Sequence, residues 1–150
     1  TAAGIDVHKV ALDVAIEGVP GVIRFANNAA GIPELLKRLA EIAEARIVVE
    51  ATGVYEDALL EACSDAGLWI SRINPRQSRG FARATGELAK TGGIDARLLC
   101  LFARLFADRL RRYEAPALWQ RELRDWLRRC GQVVVTLQAQ RQRRALTSPA

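Results

Sequence analysis

Methionine is absent from the chain, histidine occurs once and cysteine three times. A missing methionine leaves two expectations: the initiator was removed, or the chain is a piece of a longer protein. Cys63, Cys100 and Cys130 are odd in number and far apart, which excludes both a disulfide framework and the closely spaced pairs of a zinc site. Each stands among apolar positions of helical spacing, so a small buried hydrophobe is the expected role of all three. No apolar run approaches the roughly 18 residues that cross a bilayer, and the opening residues do not read as an export signal. No membrane contact and a cytoplasmic, nucleoid-associated location are expected. Aromatics are scarce, at three Trp, four Phe and two Tyr, so base stacking is at best a minor means of holding a nucleic acid.

Positive charge is abundant but unevenly spread. Residues 1–75 hold 6 Lys and Arg against 11 Asp and Glu, residues 76–150 hold 16 against 6, and the whole chain is +5. Nearly all of the positive charge is Arg, whose planar fork suits phosphate. An acidic first half before a basic second half suggests metal ligands in one and a polyanion on the other; the alternative is that arginine merely solvates helices. At 150 residues the chain is long enough for one domain with an appendage.

Alternation of apolar and polar residues marks strands at Gly4-Ile5-Asp6-Val7-His8-Lys9, at Leu12 to Ile16 and at Val22 to Ala26. Glu17-Gly18-Val19-Pro20-Gly21 is a turn, so these strands are expected to form an antiparallel meander. A helix follows with Pro33 in its first turn and an apolar face of Ile32, Leu35, Leu36, Leu39, Ile42 and Ala43. Ile47-Val48-Val49 reads as a buried strand ending at Glu50. Thr52 is expected to cap a helix running to Ala66 and stopped by Gly67. Leu68 to Ile73 gives a fifth strand. From Arg76 onward the pattern is helical, broken at Gly86 and at Gly92-Gly93, with a strong helix over Ile94 to Leu110 and another from Pro116. In that last helix Leu123, Leu127, Cys130, Val134 and Leu137 step by four and three, a heptad seam of about two repeats; packing back on its own domain is the alternative.

Three acids stand out. Asp6 lies in a strand, where Asp is disfavoured and a carboxylate among buried neighbours needs an arginine, a lysine or a metal ion as partner. Glu50 leaves a buried strand at its end, where sites in open sheets collect. Asp95 stands in the first turn of a helix, where it also complements the helix dipole. Asp13 is a reserve carboxylate expected to face solvent. Arg76, Arg79 and Arg83 share one side of a helical turn region, a surface for phosphates together with Lys90 and Thr91.

Gly4-Ile5-Asp6-Val7-His8-Lys9 with Leu12-Asp13-Val14-Ala15-Ile16, then Glu50-Ala51-Thr52-Gly53-Val54-Tyr55-Glu56, Asn74-Pro75-Arg76-Gln77 and Lys90-Thr91 with Ile94-Asp95-Ala96, resembles the DEDD-type insertion-sequence transposases. That family includes the pilin-gene-inverting recombinase and the bridge-RNA-guided recombinases. The resemblance spans residues 4 to about 107, and more loosely the Arg-rich final helix. It implies an α/β, ribonuclease H-like (RuvC-like) five-stranded mixed sheet with flanking helices over residues 1–113. A helical coiled-coil extension would occupy 114–150, ahead of a serine-bearing C-terminal domain. It further implies a transposase or site-specific recombinase whose acids, here Asp6, Glu50 and Asp95, bind Mg²⁺ or Mn²⁺ and carry catalysis. DNA, a structured guide RNA and further copies of the chain, as a dimer or tetramer through the last helix, would be the partners.

The third acid of the family pattern should stand three residues before Asp95, and position 92 is Gly. Acids at i and i+3 near a helix start point the same way, so Gly92 removes one arm of a shared metal pair. Two alternatives stand beside the recombinase. One is a non-catalytic module that binds RNA or DNA and assembles a complex. The other is a kinase- or ATPase-like protein of the same fold, disfavoured by bulky His8-Lys9-Val10 where phosphate would approach the backbone.

Overall fold

The computed structural model describes residues 1–86 and 96–147, with side chains to residue 143. Lys90, Thr91, Gly92 and Asp95 therefore lie outside the described residues. The chain divides into two compact units, Thr1–Ala115 and Pro116–Ala150.

In the first unit, β1 (Ala2–Val7), β2 (Ala11–Ile16) and β3 (Ile23–Ala26) form the expected antiparallel meander. Helix α1 (Gly31–Ala40) follows; Asn28 Oδ1 accepts from the backbone N–H groups of Ala30 and Gly31 at 3.0 Å and fixes its start. β4 (Arg46–Glu50) then pairs parallel with β1, and β5 (Ile70–Ile73) parallel with β4. The sheet order is β3-β2-β1-β4-β5, with β1 central and β4 at its side.

Alternation along β1 divides the core. Ala3, Ile5 and Val7 point to the face covered by α1 and by α2 (Asp57–Asp65), where they pack with Leu35, Leu39, Leu59 and Leu60. Ala2 points to the other face, where Val48 and Ile73 meet Leu99, Phe102 and Ala103 of α4 (Ala96–Leu105). Gly4 is on that second face. A Cβ there would collide with the α4 backbone at Ala96, Leu99 and Cys100, so glycine is what lets this helix lie directly on the strand. Helix α3 (Pro75–Ala84) starts at a capping box in which Asn74 Oδ1 accepts from Arg76 N–H at 2.8 Å and Gln77 Oε1 from Asn74 N–H at 3.0 Å.

Three expectations are corrected. Thr52 does not cap α2: the chain turns at Gly53, whose φ is +97°, and the helix begins only at Asp57. Thr52 Oγ1 instead donates to Glu56 at 2.6 Å. Helix α4 ends at Leu105 rather than Leu110, since Phe106 has φ −116° and a single 3-10 turn follows at Ala107–Arg109. The Phe106 ring packs 4.7 Å from Phe102 and 5.7 Å from Phe81.

The third correction concerns the thiols. Cys63 is buried, Cys100 partly so, and Cys130 exposed. In the second unit α5 (Leu118–Thr147) is one helix of 30 residues, uninterrupted by Gly131 or the β-branched run that follows. Leu123, Leu127, Val134 and Leu137 of its heptad seam are all exposed. Among the described residues no helix is long and apolar enough to cross a membrane.

Candidate metal and nucleic-acid site

Sheet register builds one polar row across the second face. Arg24 is paired with Asp13, and Asp13 lies directly opposite Asp6. Gly4 is beside Val48 and Ile5 beside Val49, so the next pair along β1 and β4 is Asp6 and Glu50; Glu50 in turn pairs with Ile73. Alternation places Asp6 with Gly4 and Glu50 with Val48, on the face that α4 covers. The row reads Arg24, Asp13, Asp6, Glu50, and the two strongest sequence candidates are neighbours in it.

Two carboxylates directly opposite each other on antiparallel strands repel. Arg24 and His8 offset this. The Arg24 guanidinium grips Asp13 with both arms, Nε to Oδ1 at 2.6 Å and Nη2 to Oδ2 at 2.7 Å. The His8 ring lies between the acids, with Nε2 at 3.3 Å from Asp6 Oδ2 and 3.4 Å from Asp13 Oδ2. The hydrogen bond from Arg24 holds the Asp13 carboxyl below its ordinary range; burial pushes the other way, and the charges of Arg24 and His8 add to the lowering. The expectation that Asp13 faces solvent is thus corrected: it is on the face of Asp6, bound in an ion pair. His8, half exposed and just past the end of β1, stands at the edge of the site.

Glu50 is held from the other side of the row. Ser78 of α3, 1% exposed, donates its hydroxyl to Glu50 Oε2 at 2.5 Å. Beyond the strand end, Ala51 N–H donates to Ile73 O at 3.0 Å. Glu56, also 1% exposed, accepts from Thr52 and lies 3.9 Å from an Arg72 guanidinium nitrogen. The Asn27 amide donates to His8 O at 2.9 Å and to Tyr55 O at 3.0 Å, tying the β1–β2 hairpin to the loop after β4.

Arg76, Arg79 and Arg83 are all exposed on α3. Lys90, Thr91, Gly92 and Asp95 are outside the described residues. Among the described residues no group of three His, Cys, Asp or Glu side chains is arranged to hold a metal ion.

Sequence reasoning missed Ser78 and Asn27. Ser78 had a signal: with Ala82 it forms the small inward edge of a helix whose other turns carry arginine. Asn27 had none beyond its place at a strand end.

A family model described as a transposase, of the DEDD insertion-sequence type, matches residues 3–148. No curated protein matches the chain. Among solved structures, Thermus thermophilus RuvC in complex with a Holliday junction substrate is 17% identical, at a TM-score of 0.54, over 75% of this chain and 99% of that one. A second Thermus thermophilus RuvC structure is 18% identical at a TM-score of 0.47, over the same shares. The five-stranded mixed sheet with flanking helices is therefore the RuvC-like, ribonuclease H fold.

Proposed function

Because this chain belongs to the DEDD-type insertion-sequence transposase family, we propose that its carboxylate row is the metal-binding part of a DNA recombination site. Asp6, Glu50 and Asp95 are its ligands and its catalytic residues. The observation that carries this is the shared row: Asp6 and Glu50 on adjacent parallel strands, beside a helix whose backbone rests on Gly4. Asp95 directly precedes Ala96, the first residue of that helix, in the sequence.

The donors are carboxylate oxygens throughout, which fits a hard cation such as Mg²⁺ or Mn²⁺ and not a thiolate-seeking metal. When bound, such ions polarise a phosphodiester and favour the deprotonated attacking group. The chain's own residues prepare the place. Arg24 commits Asp13 to an ion pair and so keeps it out of the ligand set. His8 bridges Asp6 to that pair, and Ser78 donates a hydrogen bond to Glu50.

Arg76, Arg79 and Arg83, with Lys90 and Thr91, contact phosphates of DNA and of a structured guide RNA, and RuvC's junction-bound structure is in keeping with DNA as one partner. These contacts hold a strand without reading it, and affinity falls by about one log unit per log unit of salt for each contact. The heptad face of α5 joins copies of the chain as a coiled coil. A serine-bearing domain completes the recombinase, working in the cytoplasm on nucleoid DNA.

Gly92 supports a second reading. It stands where the family has its third acid, so metal binding is weakened and the chain acts as a binding and assembly module that does not cut. The test is a nicking assay on supercoiled DNA with Mg²⁺, beside Mn²⁺ titrations. The chain is expected to bind DNA at low salt without nicking it, and Gly92→Asp to tighten Mn²⁺ binding. Nicking that Asp6→Ala abolishes would refute the inactive reading, and an unchanged Mn²⁺ isotherm for Gly92→Asp would refute the metal assignment.

A further inference from the structure

The buried polar side chains of the described residues are Glu56, Ser71 and Ser78. Ser78 makes a side-chain bond to a candidate metal ligand. A hydroxyl inside a helix ordinarily bonds back to a carbonyl one turn earlier, and Pro75 O lies 3.1 Å from Ser78 Oγ. Its single proton has a better acceptor in Glu50 Oε2 at 2.5 Å, since a charged acceptor gives the shorter and stronger bond.

We infer that Ser78 is a positioning residue for Glu50, holding the carboxylate in one orientation so that it meets a cation already aimed. The inference rests on the carboxylate-site reading above. Three features carry it. First, Ser78 is almost wholly buried, so its hydroxyl has given up water for Glu50. Second, the helix that bears it is fixed at its first turn by the Asn74–Gln77 capping box, which ends one residue before Ser78. Third, the bond uses one lone pair of Oε2 and leaves the others of the carboxylate available for coordination. Partners of this kind to ligating carboxylates typically govern metal affinity about 10- to 100-fold.

Ser78 thereby joins two parts of the site. Its helix presents Arg76, Arg79 and Arg83 to solvent, while its buried edge grips the strand end that carries Glu50.

The experiment uses the full 150-residue chain. The ¹³C carboxyl resonance of Glu50, assigned by its loss in Glu50→Gln, is followed without metal, and Mn²⁺ affinity is measured on the same samples. Ser78→Ala is expected to move the Glu50 resonance and to weaken Mn²⁺ binding by about 10-fold. Ser78→Thr, which keeps the hydroxyl, is expected to restore both. Should Ser78→Ala fail to fold, Ser78→Cys replaces it, a near-isostere with a weak donor and the same expected direction. A Glu50 resonance or a Mn²⁺ affinity unmoved by these variants overturns the role of Ser78. A parent chain that takes up no Mn²⁺ overturns the site itself, and the two failures are distinct because the resonance is read without metal.

Discussion

Gly4→Ala places a methyl group where the α4 backbone already stands, against Ala96, Leu99 and Cys100. In an ordinary strand this change is favourable by roughly 0.5–1 kcal/mol, because alanine loses less conformational freedom. Here the obstructing atoms are main chain and have no rotamer to escape into. Overpacking of this kind costs about 1–3 kcal/mol, and a backbone obstacle puts the change at the upper end, about 3 kcal/mol. Relief requires α4 to lift, which partly exposes Leu99 and Phe102, each worth about 1.5–3 kcal/mol when fully buried. At about 4 °C per kcal/mol for a unit of this size, the melting temperature should fall by about 12 °C.

Gly80 is the control. It is exposed in α3, and a Cβ there meets nothing within 4 Å. Gly80→Ala should raise stability by about 0.5–1 kcal/mol, opposite in sign to Gly4→Ala. Circular dichroism melts of the two variants and the parent decide the matter. A Gly4→Ala chain that melts within about 2 °C of the parent would mean that α4 does not rest on β1, and the proposed meeting of Asp95 with Asp6 would go with it.

Arg24→Ala should let the Asp13 carboxyl return toward its ordinary value of 3.8, read by carboxyl ¹³C titration; an unmoved Asp13 would refute the ion pair. Because the folded pKa is depressed, the pair's contribution is present above about pH 4 and is lost as pH falls through the lowered value, so parent and variant stabilities should converge in acid. Thr52→Val removes a bond to the buried Glu56 carboxylate and should cost about 1.5–3 kcal/mol in denaturant melts, against no change if Glu56 is satisfied by Arg72 alone. In thiol labelling near pH 8, exposed Cys130 should react first, since burial pushes the Cys63 thiol up to about 12; early loss of Cys63 would contradict its burial. Leu127→Lys in the heptad face of α5 should turn an oligomer into a monomer by light scattering, and a parent that is already monomeric would dismiss the coiled coil.

The strands were legible because a period of two is stark in short segments: Ile5, Val7, Leu12 and Val14 all enter one core as their alternation implies. Alternation does not say which strands are neighbours, and the parallel pairing of β1 with β4 is what brings Asp6 beside Glu50. What stayed hidden depended on contacts between distant segments. Thr52 has the look of a helix cap, but the positive φ of Gly53 moves the helix start, and its hydroxyl turns to Glu56. Asp13 has the alternation of an outward residue on a strand with one wet face; only pairing with both Asp6 and Arg24 makes its face part of the site. Cys130, like Cys63, stands at helical spacing from apolar residues, and the difference lies in what covers the helix. The pattern of small residues marks Ser78 as inward-facing, but nothing local announces that its partner is a carboxylate 28 residues away.

The place of β1 at the middle of the sheet has a consequence for synthesis. Its β2 edge can be satisfied at once by the hairpin that follows, but its other edge waits for β4, and the face at Gly4 waits for α4, more than ninety residues later. Between those moments an apolar central strand offers an open edge to any passing chain. The carboxylate row, too, is shut on its α4 side only when almost the whole first unit has left the ribosome. A chain stalled before α4 would carry Asp6 and Glu50 but no closed site. The order of the strands thus acts as a clock: the helix over the row arrives last.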